Sequence, residues 1–389
     1  MTSRDAGSEP REAQAGRGAR DPIPVLFANN YDMARARAGW RAGTYPAHHL
    51  YGTAQLGGDF EVVDLPFHTD DRLARATELT RRRLGDIGQQ FDAARSRRPG
   101  SVVYAAAAPE LRSLAVLRAA RVFATPIVGV FHSAPSSRLH RWSAPRGFDR
   151  VIALSEHTRR AIVDCGVPPE RVSVLGWGAD LDFAGFAPRE PAGAHAPVVA
   201  TGKTGRDMRT LLAALRATGL PARIYGDRGE LGRAGPIPAQ VTIRPVSSND
   251  GTSAPMKYDA AVMDDLRSAA VVAIPLADTD RLTGLTEVVD VLACGRPMIL
   301  TRAPYFDCDI EEIGCGWWVE PGDVRGWSEL LTAAMANRDR LDQMGRAGRA
   351  WAQRHLNAEL FTAGLRRVLL DSELSRRGRG RRARGAPRG

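Results

Sequence analysis

Short apolar segments alternate along the chain with longer segments whose hydrophobic positions recur at helical spacing. The apolar segments have the length of buried strands. The predicted strands are Pro24–Ala28, Glu61–Leu65, Ser101–Ala105, Pro126–Phe131, Arg150–Leu154, Arg171–Leu175, Pro197–Thr201, Ala222–Gly226, Val241–Arg244, Val271–Leu276, Met298–Leu300 and Trp317–Val319. Because strands alternate with helices, the pattern predicts an α/β fold with parallel sheets covered by helices on both faces.

The helical segments complete this alternation, with one long gap after the first strand. The predicted helices are Arg72–Arg95, Pro109–Arg121, a helix beginning near Ser155, Asp207–Ala217, Tyr258–Ser268, a helix within Leu282–Leu300 and two helices between about Val324 and Leu374. The gap, Asn29–Gly58, mixes polar, aromatic and glycine residues and predicts a long loop. A loop of this length after a first strand is usually functional.

Two such runs of strands and helices predict two doubly wound domains, which a length of 389 residues also favours. A linker rich in Gly, Ala and Pro at 183–196 separates domains predicted at 23–182 and 197–355. We also predict a disordered leader at 1–22, a last helix at 356–374 and a disordered tail at 375–389. Ligands of such sheets bind beyond the carboxyl ends of the strands, so we expect a site in the cleft between the domains.

The stretch Leu282–Leu300 combines a Gly- and Thr-containing loop, a short amphipathic helix and a buried strand. The first turn of such a helix is an anion site, because its N–H groups and its dipole face outward. Asp290 is a lone carboxylate on the apolar helix, where a charge is costly unless it is paired or used. We therefore predict phosphate binding at the helix start and a hydroxyl contact at Asp290; a solvent-facing or capping Asp290 is the alternative.

The net charge of +10 is concentrated at the C-terminus, since the last 14 residues hold seven arginines and no acid, which leaves +3 for the rest. A solvated, disordered tail is the simplest interpretation, and weak contact with an anionic membrane is the alternative. No aromatic residues interleave with these arginines, which argues against nucleic-acid binding.

Hydropathy and cysteine usage predict a cytoplasmic protein, peripheral at the inner membrane face if the tail binds lipid. No apolar run reaches the roughly 18 residues of a membrane helix, and the N-terminus has no apolar core typical of a secretory signal. The four cysteines form no CxxC pair and have no histidine at ligand spacing, so reduced thiols are expected rather than a zinc site.

Four blocks of sequence resemble the retaining glycosyltransferases of the GT-B fold, most closely family 4. The blocks are Val151–Glu156 with Gly166–Pro168, Arg171–Val172 and Gly178–Asp180; Thr201–Asp207; Asp290–Pro297; and Gly316–Asp323. The resemblance spans about Arg150 to Leu370. It implies two Rossmann-like domains facing a cleft, the first on the acceptor side and the second binding a nucleotide-sugar. It also implies that the last helix returns to the first domain.

The donor-binding residues follow partly from chemistry and partly from this resemblance. Negative charge builds on the leaving diphosphate, and fixed cations or N–H groups stabilise it. Lys203 and Arg206, in a Gly-rich loop directly before a helix, are predicted to hold the diphosphate; two solvent-facing charges are the alternative. The resemblance adds the helix start and a ribose contact at Asp290. The predicted helix-start residues are Gly284, Leu285 and Thr286.

One position departs from the family pattern. The family has two glutamates separated by seven residues; the second aligns with Asp290 and the first with Leu282. In the family that first glutamate contacts the transferred sugar. A non-catalytic or divergent GT-B protein, which binds a nucleotide-sugar or acts as an epimerase, therefore remains an alternative.

His132 closes a predicted strand, which points it into the cleft, and the resemblance places a sugar-contacting histidine at the matching strand end. We predict a transition-state contact rather than a base; a structural histidine is the alternative. The acceptor-side candidates lie in the long first loop and are Tyr45, His48, His49 and Tyr51.

Asp307–Asp309 resembles the DxD metal motif of the other large glycosyltransferase fold, but helix-capping acids suit its context better. We predict no metal and no cofactor. The resemblance implies metal-independent transfer, with retention, from a UDP- or GDP-linked sugar to an acceptor that the sequence does not identify.

Overall fold

The computed structural model describes residues 21–69, 72–187, 193, 195–202, 204–245, 260–277 and 282–384, of which 184 and 373–384 are described as backbone alone. The strands are β1 (Ile23–Ala28), β2 (Phe60–Asp64), β3 (Val102–Ala105), β4 (Ile127–Phe131), β5 (Arg150–Ala153), β6 (Val172–Val174), β7 (Val198–Ala200), β8 (Ala222–Tyr225), β9 (Val241–Arg244), β10 (Val271–Ile274), β11 (Met298–Thr301) and β12 (Gly316–Val319). The helices are α1 (Met33–Arg41), α2 (Arg72–Leu84), α3 (Ile87–Ser96), α4 (Arg112–Ala119), α5 (Arg138–Gly147), α6 (Glu156–Asp164), α7 (Met208–Thr218), α8 (Arg228–Ala234), α9 (Ala260–Ser268), α10 (Leu285–Cys294), α11 (Val324–Ala336), α12 (Arg338–His355) and α13 (Ala358–Arg384).

The strands form two six-stranded sheets, ordered β2-β1-β3-β4-β5-β6 and β12-β11-β10-β7-β8-β9. Every strand pair is parallel, for example β1 with β3 and β7 with β10. The strand order reverses at β1/β3 in the first sheet and at β7/β10 in the second, which is the doubly wound arrangement. The predicted α/β class with two such domains is therefore confirmed.

Both faces of each sheet are covered, which is why the strands are almost continuously apolar. On the first sheet, Val25 and Tyr104 belong to a core cluster that also contains Phe361 and Leu365 of α13. The last helix of the chain therefore packs on the first domain. On the second sheet, Val272 and Leu300 pack with Val289 and Leu292 of α10.

The predicted single helix Arg72–Arg95 is wrong, because Gly85 breaks it. Gly85 has φ +79°, a left-handed conformation that glycine adopts without steric cost. Asp86 then caps α3, its side chain accepting from Gln89 N at 2.9 Å. A uniform helical pattern of polar and apolar residues does not reveal a break of this kind when both pieces present the same face.

The predicted loop Asn29–Gly58 contains α1 and a 3-10 turn, Ala47–Leu50. Asp32 caps α1, but the helix buries only Met33 and Ala36, so its hydrophobic signal is weak. Helices α5 and α8 were likewise not predicted.

The C-terminal part has three helices where two were predicted, since Asn337 separates α11 from α12. Helix α13 continues through Arg384, so the boundary predicted at 374 lies inside it. Arginine is a good helix former, which explains the extension. Lipid contact by this Arg-rich segment stays a prediction. Among the described helices, none is long and apolar enough to cross a bilayer.

Candidate functional site

A cavity of about 840 Å³ opens at the carboxyl ends of β7, β8 and β9 in the second domain. Its lining residues are Gly202, Arg206, Asp207, Met208, Arg209, Tyr225, Gly226, Asp227, Arg228, Glu230, Leu231, Ala234, Ile243 and Pro245. Gly202, Arg206 and Asp207 belong to the loop that was predicted to hold the diphosphate, whereas the Tyr225–Arg228 side of the cavity was not predicted. The signal available was Gly226-Asp227 directly after a buried strand, a position that lies at the same sheet edge.

Arg206 lies in the wall of this cavity and is already ion-paired. Its Nη2 donates to Glu287 Oε2 at 2.5 Å, and the two side chains are only 5% and 9% exposed. Its Nη1 also donates to Thr204 O. Glu287 lies in the first turn of α10, so the pair joins the 204–206 loop to the helix start. Lys203, the other predicted cation, lies outside the described residues.

The start of α10 has the features of an anion site. Its N-cap residue is Gly284, in a left-handed conformation at φ +80°, and no side chain caps the helix. The loop preceding Arg206 lies against it, since a Cβ built on Gly205 would lie 3.1 Å from Thr283 Cγ2. The first-turn N–H groups of an uncapped helix start, next to a cavity wall, suit a phosphate group.

Asp290 is turned toward the first domain and not toward the cavity. It is fully buried, and its Oδ1 lies 3.7 Å from His48 Nε2. His48 Nδ1 accepts from Asp180 N at 3.3 Å, so in the neutral ring Nε2 carries the proton and points it at Asp290. Contact between Asp290 and a ligand therefore requires His48 to move away from it.

The acceptor-side candidates form a buried aromatic cluster instead of lining an open surface. Tyr45, His48, His49 and Tyr51 are each less than 9% exposed. Trp177 is at the centre of the cluster: its ring stacks on Tyr51 at 5.3 Å, and its Nε1 donates to His48 O at 2.8 Å. Trp177 could not be predicted from sequence, because its partners are more than a hundred residues away along the chain.

Leu282, at the position of the family's sugar-contacting glutamate, packs against the core clusters of both domains, and so does Leu285. The contact that replaces the missing carboxylate is thus apolar and holds the domains together. A third contact between the domains is polar: both carboxylate oxygens of Asp307 accept from Glu156 N, at the start of α6, at 2.8 and 3.0 Å.

Asp309 is also used within the fold, since its Oδ1 accepts from Glu311 N and from Trp318 Nε1, each at 3.0 Å. The two aspartates of the DxD-like string thus accept hydrogen bonds from different donors: Asp307 from a backbone N–H, and Asp309 from a backbone N–H and a tryptophan side chain. Within the described ranges, no group of three or more metal-ligating side chains occurs.

His132 follows β4 at the carboxyl edge of the first sheet. Its Nε2 lies 3.0 Å from Ala106 O, which can only accept, so Nε2 is the protonated nitrogen and Nδ1 is the acceptor. Burial lowers the pKa of His132, and the hydrogen bond to Ala106 opposes this effect in part. His132 is linked to the buried cluster through Tyr51, whose ring centroid lies 6.2 Å from its own.

We expect His132 to titrate below its ordinary pKa of about 6.5. As the pH falls through that value, the unfolded chain binds a proton that the folded chain does not, so stability contributed by a neutral His132 is lost toward acid pH. An NMR titration of the ring resonances, assigned by comparison with His132→Gln, measures this pKa. A value at or above about 6.5 would contradict a neutral, half-buried ring.

The chain is similar to known glycosyltransferases in one family model and in several solved structures. Residues 66–183 match the model described as Glycosyltransferase Family 4. This match lies in the first domain, whereas most of the resembling blocks lie in the second. No curated protein matches the chain significantly.

Several solved structures share the fold over most of the chain. HepE of Anabaena in complex with UDP-glucose has a TM-score of 0.61 at 14% identity, over 90% of this chain and 99% of HepE. Sucrose-phosphate synthase from Thermosynechococcus elongatus has a TM-score of 0.66 at 14% identity, with coverage of 90% and 99%. The lipopolysaccharide outer core galactosyltransferase WaaB, in its apo form, has a TM-score of 0.52 at 12% identity, with coverage of 90% and 99%. The GT-B fold and the resemblance to family 4 glycosyltransferases are confirmed.

Proposed function

We propose that this protein transfers a sugar from a UDP- or GDP-linked donor to an acceptor, with retention of anomeric configuration and without a metal ion. The observation that carries the proposal is the cavity of about 840 Å³ that shares Arg206 with the uncapped start of α10. Its volume lies in the range of small-molecule sites. UDP and UDP-glucose are bound in the HepE structures, which share this fold.

The chemistry follows from where charge develops. As the bond between the anomeric carbon and the diphosphate breaks, negative charge grows on the diphosphate, and the first-turn N–H groups of α10 stabilise it. Lys203 would add a cation. Arg206 contributes less charge than its position suggests, because Glu287 already pairs with it. His132, neutral and with Nδ1 as acceptor, would contact a hydroxyl of the reacting sugar.

A nucleotide-sugar-binding protein without transferase activity is the second candidate. Leu282 favours it, because an apolar contact between the domains occupies the position of the family's sugar-contacting carboxylate. Asp290 favours neither candidate, since it binds a ribose only when His48 withdraws from it.

A donor panel tests the proposal. We would measure release of nucleoside diphosphate from UDP- and GDP-linked hexoses by the wild type, by Lys203→Ala and by Arg233→Ala, which removes an exposed α8 cation outside the cavity lining. We expect hydrolysis of at least one donor. Loss of one charged hydrogen bond predicts a roughly tenfold to hundredfold lower kcat/KM for Lys203→Ala and no change for Arg233→Ala. Binding of a donor without its hydrolysis would favour the second candidate. If no donor is bound or hydrolysed, both candidate functions are contradicted.

A further inference from the structure

A second groove, of about 710 Å³, lies at the amino ends of β4, β5 and β6. This edge of the first sheet is opposite to the one that carries His132, so the groove is separate from the cleft. Its lining residues are Arg118, Ala119, Arg121, Phe123, Ala124, Trp142, Pro145, Arg146, Phe148, Asp149 and Arg171. Among these lining residues, four are arginines and one is acidic.

Asp149, the single acid in the lining, is paired with Arg118 and does not neutralise the charge of the other three arginines. Arg118 holds Asp149 with two hydrogen bonds, Nε to Oδ2 and Nη2 to Oδ1, both at 2.6 Å. Arg118 is 16% exposed and Asp149 is 7% exposed. This pair is therefore internally neutral, and the groove keeps the positive charge of the remaining arginines.

Two of these arginines are held in place by contacts that leave donors available. Arg146 Nη1 donates to Trp142 O at 2.9 Å, and its guanidinium carbon lies 5.7 Å from the Trp142 ring centroid. Arg171 Nη1 donates to Pro145 O at 3.1 Å. A guanidinium has five N–H donors, so each can still bind an anion. Because the side chains are already oriented, little further ordering is needed on binding.

Arg121 occupies a position where glycine is the usual residue. It follows the C-cap of α4 with φ +64°, a left-handed conformation that side chains disfavour. A residue held in such a conformation is a reason to look for function. Here the unusual residue adds a guanidinium to a groove that already has an excess of them.

We propose that this groove binds a phosphate group, carried by either a phosphorylated small molecule or an anionic phospholipid. Guanidinium groups match phosphate oxygens in geometry and charge. Trp142, 43% exposed, offers an apolar surface to the rest of either ligand. The inference does not depend on the proposed glycosyltransferase function.

The test uses the full chain and measures ligand binding at the groove itself. Inorganic pyrophosphate is the soluble probe, and vesicles of phosphatidylcholine with or without phosphatidic acid are the lipid probe. Amide hydrogen exchange of 117–125 and 142–149 reports occupancy of this groove rather than of the cleft or the Arg-rich C-terminal segment. The test variant is Arg121→Gly/Arg146→Gln, and the control with the same charge change is Arg83→Gln/Arg138→Gln, on exposed helix positions outside the lining.

If the phosphate comes from a small molecule, we expect pyrophosphate to slow amide exchange in these segments. If it comes from a phospholipid, we expect only the vesicles that contain phosphatidic acid to do so. Loss of charge-assisted hydrogen bonds predicts at least about tenfold weaker binding in the test variant; the control should bind like wild type. Glycine adopts φ +64° freely, so the Arg121→Gly substitution should not lower the melting temperature of the test variant. Protection by neither probe, or protection that persists in a folded test variant, would overturn the inference.

Discussion

Replacing Arg206 by methionine is expected to destabilise the protein by about 3–5 kcal/mol. The Arg206–Glu287 pair is 5% and 9% exposed, and its N–O distance is 2.5 Å. Removing the arginine takes a buried cation away from the Glu287 carboxylate, which is costlier than losing an exposed ion pair. The loss would be measured as the change in the free energy of unfolding in urea.

The double variant Arg206→Met/Glu287→Met is the matched control. It removes both charges and keeps side chains of similar length, so it should recover most of the stability that the single variant loses. A single variant that costs less than about 1 kcal/mol, the range of an exposed pair, would show that water reaches the carboxylate. A double variant no more stable than the single one would contradict the pairing.

Replacing Arg349 by methionine should cost about 2–4 kcal/mol, because it removes a donor from three partly buried carbonyl groups. Arg349, on α12, donates to Leu181 O at 2.9 Å, to Phe186 O at 3.1 Å and to Ala293 O. Leu181 and Phe186 lie where the chain passes from the first domain to the second, and Ala293 lies in the last turn of α10. One side chain thus fixes the connection between the domains to the helix whose start is proposed to bind phosphate.

Arg346→Met is the control for this variant, since Arg346 lies on the same helix but is exposed. It should leave the unfolding free energy within about 0.5 kcal/mol of the wild type. Equal losses in the two variants would mean that methionine disturbs α12 itself. A loss confined to Arg349→Met supports its role in joining the three carbonyl groups.

The central strands could be predicted because they are buried along their whole length, so a short apolar run between polar segments is sufficient signal. Val241–Arg244 has the bounds predicted from the pattern. Helices that bury few apolar residues were harder to predict, because their hydrophobic pattern is weak. Helix α1 is polar apart from two buried residues, and the break at Gly85 depends on one backbone angle.

Those parts of the candidate site that depend on neighbouring residues in the sequence could be predicted. Gly284 before an apolar-periodic segment predicted the start of α10, and the structure places the helix there. The partners of its side chains were not predictable, because they come from distant parts of the chain. Glu287 pairs with Arg206 of a separate loop, and Asp290 meets His48 of the first domain.

The most direct test of the donor site is the affinity for UDP and GDP of Thr286→Asp, with Thr286→Asn as the neutral control of similar shape. An aspartate in the first turn of a helix is favourable or neutral for stability, because it interacts well with the dipole. It also places a negative charge where the diphosphate is proposed to bind. We expect Thr286→Asp to keep its melting temperature and to lose about tenfold or more in nucleotide affinity, while Thr286→Asn stays near wild type. Tight nucleotide binding by a folded Thr286→Asp, equal to that of the wild type, would contradict phosphate binding at the start of α10.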